Sequence, residues 1–329
     1  MPNEIQPDFA AAKTVDFEQI PVVDISDIHT KDGFGRIAQE LVKTAEEIGF
    51  FYIKGHGIDP RQIENAFAAS KRFFALSSAD KSSVAVNTHQ RGWMGQGMAK
   101  LEGAKTHDAK EVFFWGWDVA ADDIDVQNNV PMVAPNQWPD VTAAFLRQDI
   151  LPYYQSVIAL SRTILSAIAV GLGQNRDFFD AAYAKPLGRG QLVYYPPIEA
   201  SDESIQRFSA ATHTDFGVLT ILMQDMQGGL QVLNTTGDWI EAPPIQDTFV
   251  CNIGDLLEQW TNGRLTSTKH RVINRAKSAR YSIPIFCDPA SQTPIDPADF
   301  DRDAAKYEII TAGEHISKRN KNNFAQYKK

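Results

Sequence analysis

The chain has 329 residues, of which 43% are hydrophobic and 22% are charged, and its formal net charge is −9. These values are ordinary for a globular protein that buries a large core. The acidic balance argues against a general nucleic-acid-binding protein, which would carry a basic patch. The opening residues, MPNEIQPDFAAAKTV, show no basic segment followed by an apolar one, so a secretory signal is not expected.

Short apolar runs and helical patterns alternate in the first third of the chain. The predicted elements are a strand at 20–24, a helix at 34–48, a strand at 50–54 and a helix from Pro60 to about residue 76. Residues 85–135 lack a clear period and are rich in Gly, Asp and Trp. They predict a long loop region with one aromatic strand at 112–117, and loops of this length are often functional.

A long helical pattern from about residue 141 to residue 172 is apolar on one side, which favours packing across a sheet. Its apolar core, 156–173, is interrupted by Ser161, Arg162 and Ser166, so it predicts a buried helix and no membrane span. After Gly188, short β-rich runs separated by turn residues predict a sandwich or barrel. The runs lie at 191–195, 217–223, 229–233, 248–252, 266–273 and 280–287, and a polar helix at about 312–327 follows.

These elements predict an α+β fold with a mainly β core, organised as one domain over residues 1–329. Its expected parts are an N-terminal α/β region with loops at 1–135, the long helix at 136–175, the core at 188–290 and the C-terminal helix at 310–329. Cys251 and Cys287 are expected to be free buried thiols, because disulfides are rare in chains without a secretory signal. A reducing, cytoplasmic location is therefore expected.

Three residues form a candidate metal site. His213 and Asp215 are two positions apart, and side chains repeat every second position on one face of a strand. His270, in another predicted strand, would add a second imidazole. Each of these residues alone is more often structural, but two histidines and one carboxylate with open positions are typical of non-haem Fe(II) oxygenases. Zinc is the alternative metal for the same ligands.

Ten residues after His270, Arg280 and Ser282 alternate along a predicted strand and form a candidate anion clamp. The planar guanidinium of Arg fits a carboxylate through two parallel hydrogen bonds. Because the strand is otherwise apolar, burying Arg280 without an anion would be costly. Tyr195 is a candidate third donor.

Several ordered segments carry a family resemblance. They are 20–24 (IPVVD), 50–58 (FFYIKGHGI), 194–197 (YYPP), 213–217 (HTDFG), 228–232 (GGLQV), 252–255 (NIGD), 261–263 (TNG), 269–272 (KHRV) and 280–282 (RYS). With them, the chain resembles the isopenicillin N synthase-like branch of the Fe(II)/2-oxoglutarate-dependent dioxygenases. The resemblance implies a double-stranded β-helix, or jelly roll, with flanking helices.

The resemblance also implies a ligand set and a reaction. Iron would bind His213, Asp215 and His270, and the distal carboxylate of 2-oxoglutarate would bind Arg280 and Ser282, with Tyr195 assisting. Fe(II), 2-oxoglutarate and O2 would be required, with ascorbate as an optional reductant. The enzyme would convert 2-oxoglutarate into succinate and CO2 while it hydroxylates or desaturates a small metabolite. Val193 departs from the pattern, because plant members often carry Asn there, and its side chain removes one polar contact.

The substrate pocket is predicted from aromatic and apolar residues. Phe286 matches, by resemblance, a position that stacks on the substrate in plant flavonoid-type members. The further candidates are Phe216, Leu222, Phe114, Trp115, Trp93 and Phe324. An aromatic lining would suit a planar or apolar molecule, whereas Glu111, His107 and Lys110 would suit a polar one such as an amino acid. The expected partner is a small molecule, with no nucleic acid and no membrane, and the expected state is a monomer or a weak homo-oligomer.

Three alternatives stay open from the sequence. The same fold and iron site would also serve an oxidase that does not use 2-oxoglutarate, or an ethylene-forming enzyme. A cupin-like barrel holding zinc or manganese would serve a hydrolase or isomerase. A barrel without catalysis would serve as a small-ligand-binding module.

Overall fold

The computed structural model describes residues 11–13, 20–100, 104–139, 143–199, 201–202, 205–301 and 305–324. In the first part of the chain the helices are α1 (Lys31–Glu47), α2 (Pro60–Phe74), α3 (Ser78–Ser82) and α4 (Ile124–Gln127). The strands there are β1 (Val22–Asp24), β2 (Phe50–Lys54), β3 (Gly92–Met94) and β4 (Glu111–Trp115).

Local signals explain where the first helices begin. The side chain of Thr30 accepts a hydrogen bond from the backbone N–H of Gly33 and caps α1. Asp59 caps α2 in the same way, and Pro60 occupies the first helical position. The two predicted helices and three predicted strands of this region are confirmed; β2 has the predicted bounds and the other elements have shifted ends. The prediction of a loop with one strand over 85–135 was wrong for β3 and α4, and no element was predicted where α3 lies, because elements of three to five residues leave no periodic pattern.

The long helix α5 spans Phe145–Gly171 and packs on α1, α2 and the sheet below them. Its length and composition would allow it to span a membrane, but just over half of its most apolar window is buried inside the protein. The last helices are α6 (Asp255–Trp260), which the sequence did not predict, and α7 (Ala312–Asn323). The predicted end of α7 at about residue 327 lies outside the described residues.

The second half supplies the remaining strands of two facing sheets. They are β5 (Arg189–Tyr195), β6 (Ala210–His213), β7 (Leu219–Gln224), β8 (Leu230–Leu233), β9 (Trp239–Glu241), β10 (Thr248–Ile253), β11 (His270–Val272) and β12 (Arg280–Cys287). In the described residues the major sheet has the order β1-β2-β10-β7-β12-β5-β4-β3, and the minor sheet has the order β6-β11-β8-β9. A short ribbon of β13 (Pro294–Ile295) and β14 (Ile310–Thr311) lies apart.

The major sheet has a different core on each face. One face packs against α1, α2 and α5, with side chains such as Phe113 and Leu192. The other face meets the minor sheet, where Val112 and Tyr52 of the major sheet share a core with Val232 of the minor sheet. Because strand residues alternate between faces, neighbouring residues of one strand enter different cores. The functional site lies in the second core, between the two sheets.

The turn before β2 fixes the segment that leads to β11. Gly49 has φ +68°, and a Cβ at this position would overlap the carbonyl oxygen of Thr266. The backbone N–H of Thr266 donates to the carbonyl of Ala45, and the hydroxyl of Thr268 donates to the carbonyl of Ile48. The N-terminal region therefore holds the chain just before His270.

Candidate active site

Two imidazoles and one carboxylate meet between the sheets. His213 ends β6 and His270 begins β11, and the two residues are partners in the antiparallel register. The Nε2 atoms of His213 and His270 lie 3.9 and 3.7 Å from Oδ1 of Asp215. One potential ligand atom from each residue lies within 4.8 Å of the others. The three side chains can therefore bind a single ion.

Hydrogen bonds orient each ligand atom. Nδ1 of His213 donates to the carbonyl of Ala211 at 2.7 Å, and Nδ1 of His270 donates to the carbonyl of Thr268 at 3.1 Å. Each Nε2 therefore keeps its lone pair for a metal.

Asp215 is oriented by two neutral donors. Its Oδ2 accepts hydrogen bonds from the hydroxyl of Thr220 at 2.5 Å and from the amide of Asn252 at 2.8 Å. Oδ1 is the oxygen that faces the imidazoles. One oxygen is thus fixed by the protein and the other is presented to the ion.

The electrostatics of the site give the charge states that a ferrous ion needs. Burial, followed by the neighbouring His270, lowers the pKa of His213 to about 3, so its imidazole is neutral at physiological pH. Burial alone would raise the pKa of Asp215, but the two imidazoles and the two hydrogen bonds lower it. A neutral imidazole nitrogen and an anionic carboxylate oxygen are ligand types that suit Fe(II).

One expectation about this site was wrong in detail. Asp215 does not share a strand with His213, because β6 ends at His213 and Asp215 lies in the following turn. The carbonyl of Asp215 accepts a hydrogen bond from the backbone N–H of Asp255 at the start of α6. The turn is thus held by α6, and its carboxylate still reaches the imidazoles.

A small cavity, which we call the co-substrate cavity, extends from the ligands to Arg280. Its volume is about 70 Å³. Its lining includes the three metal ligands together with Tyr195, Val193, Leu222, Arg280 and Ser282. Arg280 and Ser282 of β12 pair with Tyr195 and Val193 of β5, so the predicted alternation brings them to one wall.

Arg280 is a fully buried cation with a free donor. Its Nε donates to the carbonyl of Gly228 at 2.8 Å, and its Nη2 donates to the side chain of Gln224 at 3.0 Å. No group of the described residues accepts a hydrogen bond from Nη1. A buried guanidinium with an unfilled donor fits the carboxylate of a dicarboxylic acid. Tyr195 lies beside it, with its ring centre 4.9 Å from the guanidinium carbon, and its predicted hydrogen bond stays a prediction.

A second small cavity, which we call the substrate cavity, lies on the other side of the ligands and has a volume of about 60 Å³. Four of the predicted aromatic residues line it: Phe114, Phe216, Phe286 and Phe324. Thr214, within the metal motif, adds a polar group to the lining; the other polar lining residues that the sequence reasoning missed are Gln90, Arg189, Gln191 and Asn320. No motif surrounds them, so the sequence offered no signal for their role.

Three predicted pocket residues lie elsewhere. Trp115 and Trp93 face the helices, because they alternate with Phe114 and Met94, which point between the sheets. Leu222 lines the co-substrate cavity instead of the substrate cavity. The prediction was wrong for these positions because it lacked the register of the strands that carry them.

The predicted polar residues also separate. Glu111 faces away from the cavities and accepts hydrogen bonds from Lys81 and Trp93. Lys110 lines both cavities and pairs with Asp108 at 2.9 Å. Burial would lower the pKa of Lys110, but Asp108 and other anionic neighbours raise it, so its amine is cationic. His107 is not among the residues that line either cavity.

Outside His213 and Phe216, a wider vestibule of about 560 Å³ opens to solvent. Lys105, Lys269 and Arg319 contribute to its lining. Arg319 also pairs with Asp255 at 3.2 Å.

Comparison with known proteins gives the family. The model of the non-haem dioxygenase N-terminal family matches residues 20–141, and that of the 2OG-Fe(II) oxygenase superfamily matches residues 190–289. A 2-oxoglutarate-dependent dioxygenase from Didymella fabae is 37% identical over 262 residues, which cover 77% of this chain and 79% of the relative. The chain belongs to the Fe(II)/2-oxoglutarate oxygenase superfamily.

Two further relatives agree. A 2-oxoglutarate-dependent dioxygenase, citB of Monascus ruber, is 33% identical to this oxygenase over 91% of the chain and 94% of the relative. The crystal structure of a full-length Neurospora crassa protein in complex with alpha-KG superimposes with a TM-score of 0.81 at 29% identity, over 94% of this chain and 99% of that one. The Neurospora crassa protein has also been solved with both alpha-KG and thymine. The jelly-roll core is thereby confirmed.

The reaction class follows from the family and the site. This oxygenase is a 2-oxoglutarate-dependent Fe(II) dioxygenase, and not the hydrolase, isomerase or small-ligand-binding module that the sequence also allowed. Its triad would hold the iron, and Arg280 and Ser282 would hold 2-oxoglutarate. Bound iron supplies the activation of O2, while the protein orients the ligands, binds the co-substrate and encloses the reacting C–H bond.

Proposed function

We propose that this oxygenase oxidises a small planar ring compound, at a carbon on the ring or attached to it, with release of succinate and CO2. One observation carries the proposal: the cavity beside the metal ligands is small and is walled by the rings of Phe114, Phe216, Phe286 and Phe324. Flat aromatic walls pack well against a flat ligand and poorly against a branched or extended one.

The position of Phe286 supports a stacking role. The guanidinium carbon of Arg189 lies 4.9 Å from the centre of the Phe286 ring. Arg189 is itself fixed by a 2.8 Å hydrogen bond from its Nε to Asp288. The Phe286 ring is thereby held in place by a side chain that lines the same cavity. The thymine complex of the Neurospora crassa protein offers a precedent for a ring-shaped ligand in a related structure.

Turnover with matched compounds tests this proposal. We expect thymine, 4-methylphenol or another flat methylated ring to raise succinate formation above the substrate-free rate and to be consumed. Linear aliphatic amino acids of similar size serve as the comparison set. The Phe286→Ala variant should lose more of the ring-dependent rate than of the uncoupled decay of 2-oxoglutarate. Stimulation by the aliphatic set alone, or equal loss of both rates, would contradict the proposal.

We further propose that the enzyme acts in the cytoplasm on a free small molecule, without nucleic acid or membrane, as a monomer or a weak homo-oligomer. The net charge of −9 supports the absence of a nucleic-acid partner. Cys251 and Cys287 are buried and free, as expected, which suits a reducing compartment. Fractionation and size-exclusion chromatography with light scattering would test these points.

A further inference from the structure

A buried amide on the wall of the substrate cavity has an unused acceptor. Gln90 lines this cavity and is only 2% exposed. No donor in the described part of the chain reaches its Oε1. Buried acceptors are nearly always paired, and leaving one unpaired costs stability. A hydrogen-bond donor on a ligand that enters the cavity would therefore pair with Oε1 of Gln90.

The orientation of this amide is fixed by its neighbours. Nε2 of Gln90 donates to Oδ1 of Asn320 on α7 at 3.2 Å. Nδ2 of Asn320 donates in turn to the sulfur of Met132 at 3.5 Å. A thioether sulfur can only accept, so Asn320 must turn its NH₂ group to Met132 and its oxygen to Gln90. Gln90 is then left with its oxygen, and not its NH₂ group, unpaired.

The backbone around Gln90 is held in an unfavourable conformation. Gln90 has φ +55°, a left-handed value that side chains other than Gly, Asn and Asp rarely adopt. The buried Arg91 fastens the turn, since its Nη1 donates to the carbonyls of His89 and Gln90 and its Nη2 donates to the carbonyl of Met132. Such strain persists only where the surrounding structure enforces it, and it is often found at functional sites.

We propose that Oε1 of Gln90 recognises the substrate by accepting a hydrogen bond from an N–H or O–H group on its ring. Asn320 is the positioning residue that presents this oxygen. This inference rests on the proposed function and narrows the substrate class to rings that carry such a donor. A ring without the donor would leave Oε1 unpaired in a closed cavity and would bind more weakly.

The experiment compares ligands in which the donor hydrogen is present or is replaced by a methyl group, and the variants below show whether Gln90 is responsible for the difference. The pairs are thymine with its N1-methyl and N3-methyl derivatives, and 4-methylphenol with 4-methylanisole. Binding to the anaerobic complex of full-length enzyme, Fe(II) and 2-oxoglutarate is read from the shift of the metal-to-ligand charge-transfer band. We expect the preferred donor-bearing ligand to bind at least about tenfold more tightly than its methylated partner. The Gln90→Leu variant should reduce this ratio to near one.

Matched variants separate recognition from folding. Gln137 supplies the control, because its amide supports the same region by donating to the carbonyls of Ala85 and Arg91, yet it lines neither cavity. Gln137→Leu should keep the ratio. Asn320→Leu should lower it, while Asn320→Asp, which still offers an oxygen to Nε2 of Gln90, should retain it. If Gln90→Leu fails to form the charge-transfer band, Gln90→Met replaces it.

The outcomes distinguish this inference from the proposed function. Equal binding within every pair by the wild-type enzyme, or an unchanged ratio in Gln90→Leu, overturns the role of Gln90 alone. If the 2-oxoglutarate band forms normally but no ring compound shifts it, the proposed function fails and this inference fails with it. A ratio that collapses in Gln90→Leu and Asn320→Leu but not in Gln137→Leu supports the inference.

Discussion

Asp215 carries the negative charge of the metal site, and two neutral side chains decide which of its oxygens faces the ion. Thr220 and Asn252 both donate to Oδ2. Neither residue would contact the iron, but together they fix the carboxylate and lower its pKa. Groups that orient a ligand in this way are often nearly as important as the ligand itself.

Asn252→Ala should therefore weaken iron binding. We expect a loss of Fe(II) affinity of about ten- to a hundredfold, because the carboxylate loses a donor and can rotate. Titration of the apoprotein with Fe(II) under anaerobic conditions measures this. Thr220→Val, which removes the other donor with little change in volume, should act in the same direction. Unchanged iron affinity in both variants would contradict the assigned role.

Arg280 combines charge with a fixed geometry, so even a conservative substitution at this position should weaken the binding of 2-oxoglutarate. Arg280→Lys keeps the charge but loses the planar pair of donors. We expect the KM for 2-oxoglutarate to rise by about ten- to a hundredfold, with a smaller effect on kcat. Steady-state kinetics with varied 2-oxoglutarate measure both constants. Arg264→Lys, at an exposed pair with Glu46, is the matched control and should leave this KM unchanged.

The segment before β11 depends on the turn that precedes β2. Thr266 and Thr268 of this segment are bonded to the end of α1 and the residue after it, and Gly49 approaches Thr266 closely. Secondary-structure elements that are distant in sequence thus position one metal ligand, His270.

Gly49→Ala should disturb this contact. A Cβ would clash with the Thr266 carbonyl and would strain a left-handed backbone, so we expect a loss of at least about 2 kcal/mol in the free energy of unfolding, together with weaker Fe(II) binding. Gly57→Ala is the control, because Gly57 has φ +70° but no described atom would lie within 4 Å of an added Cβ. Gly57→Ala should lower the free energy of unfolding by about 1 kcal/mol and leave iron binding unchanged. Denaturant melts and iron titrations separate the two effects.

Helix α7 closes the substrate cavity with Asn320, and Phe324 follows directly after it. The same helix carries His315, whose Nε2 is buried without a hydrogen-bond partner among the described residues. Burial lowers the pKa of His315, and the nearby Arg319 and Lys318 act in the same direction, while Asp255 and Asp288 oppose them.

Stability should consequently fall as the solution is acidified. Below the ordinary pKa of about 6.5, the unfolded chain binds a proton that the folded chain resists, so the stabilisation present above this pH is lost as pH falls. Between pH 7.5 and 5.5 we expect His315 to lower the free energy of unfolding by less than about 1 kcal/mol, because water screens part of the effect. Thermal melts of wild type and His315→Gln measure it, and the variant should show a flatter profile. His29→Gln, at an exposed position, is the control and should show the same pH profile as the wild type.

The two regions matched by family models form a single sheet. Strand β2 of the first region pairs with β10 of the second, and β4 pairs with β5. Neither region can complete the major sheet alone.

Calorimetry should therefore show one unfolding transition for residues 20–141 and 190–289 together. The calorimetric and van't Hoff enthalpies should agree, because separating the regions would expose the edges of β10 and β5 and an apolar face. Adding Fe(II) and 2-oxoglutarate should raise the Tm of this transition as a whole. Two transitions, only one of them sensitive to the ligands, would be inconsistent with the shared sheet.

The parts that the sequence could predict are those in which chemistry restricts residue type and spacing. His213, Asp215, His270 and Arg280 satisfy such restrictions, and the β-rich runs around them are regular enough to recognise. The lining of the substrate cavity could not be predicted in this way. Phe114 and Trp115 are adjacent and equally aromatic, yet only strand register decides which of them faces the cavity. Gln90 and Asn320 are 230 positions apart, and no motif indicates their contact.

The two cavities share part of their walls, and this has a thermodynamic consequence. Lys110, Gln191 and Phe286 line both of them, together with His213 and Asp215. A side chain that moves against one ligand changes the surface offered to the other, so we expect the two binding free energies to be coupled. Linkage then requires reciprocity: the factor by which a substrate alters the affinity for 2-oxoglutarate equals the factor by which 2-oxoglutarate alters the affinity for that substrate. The enzyme can thereby favour the ternary complex over either binary one, without any moving domain.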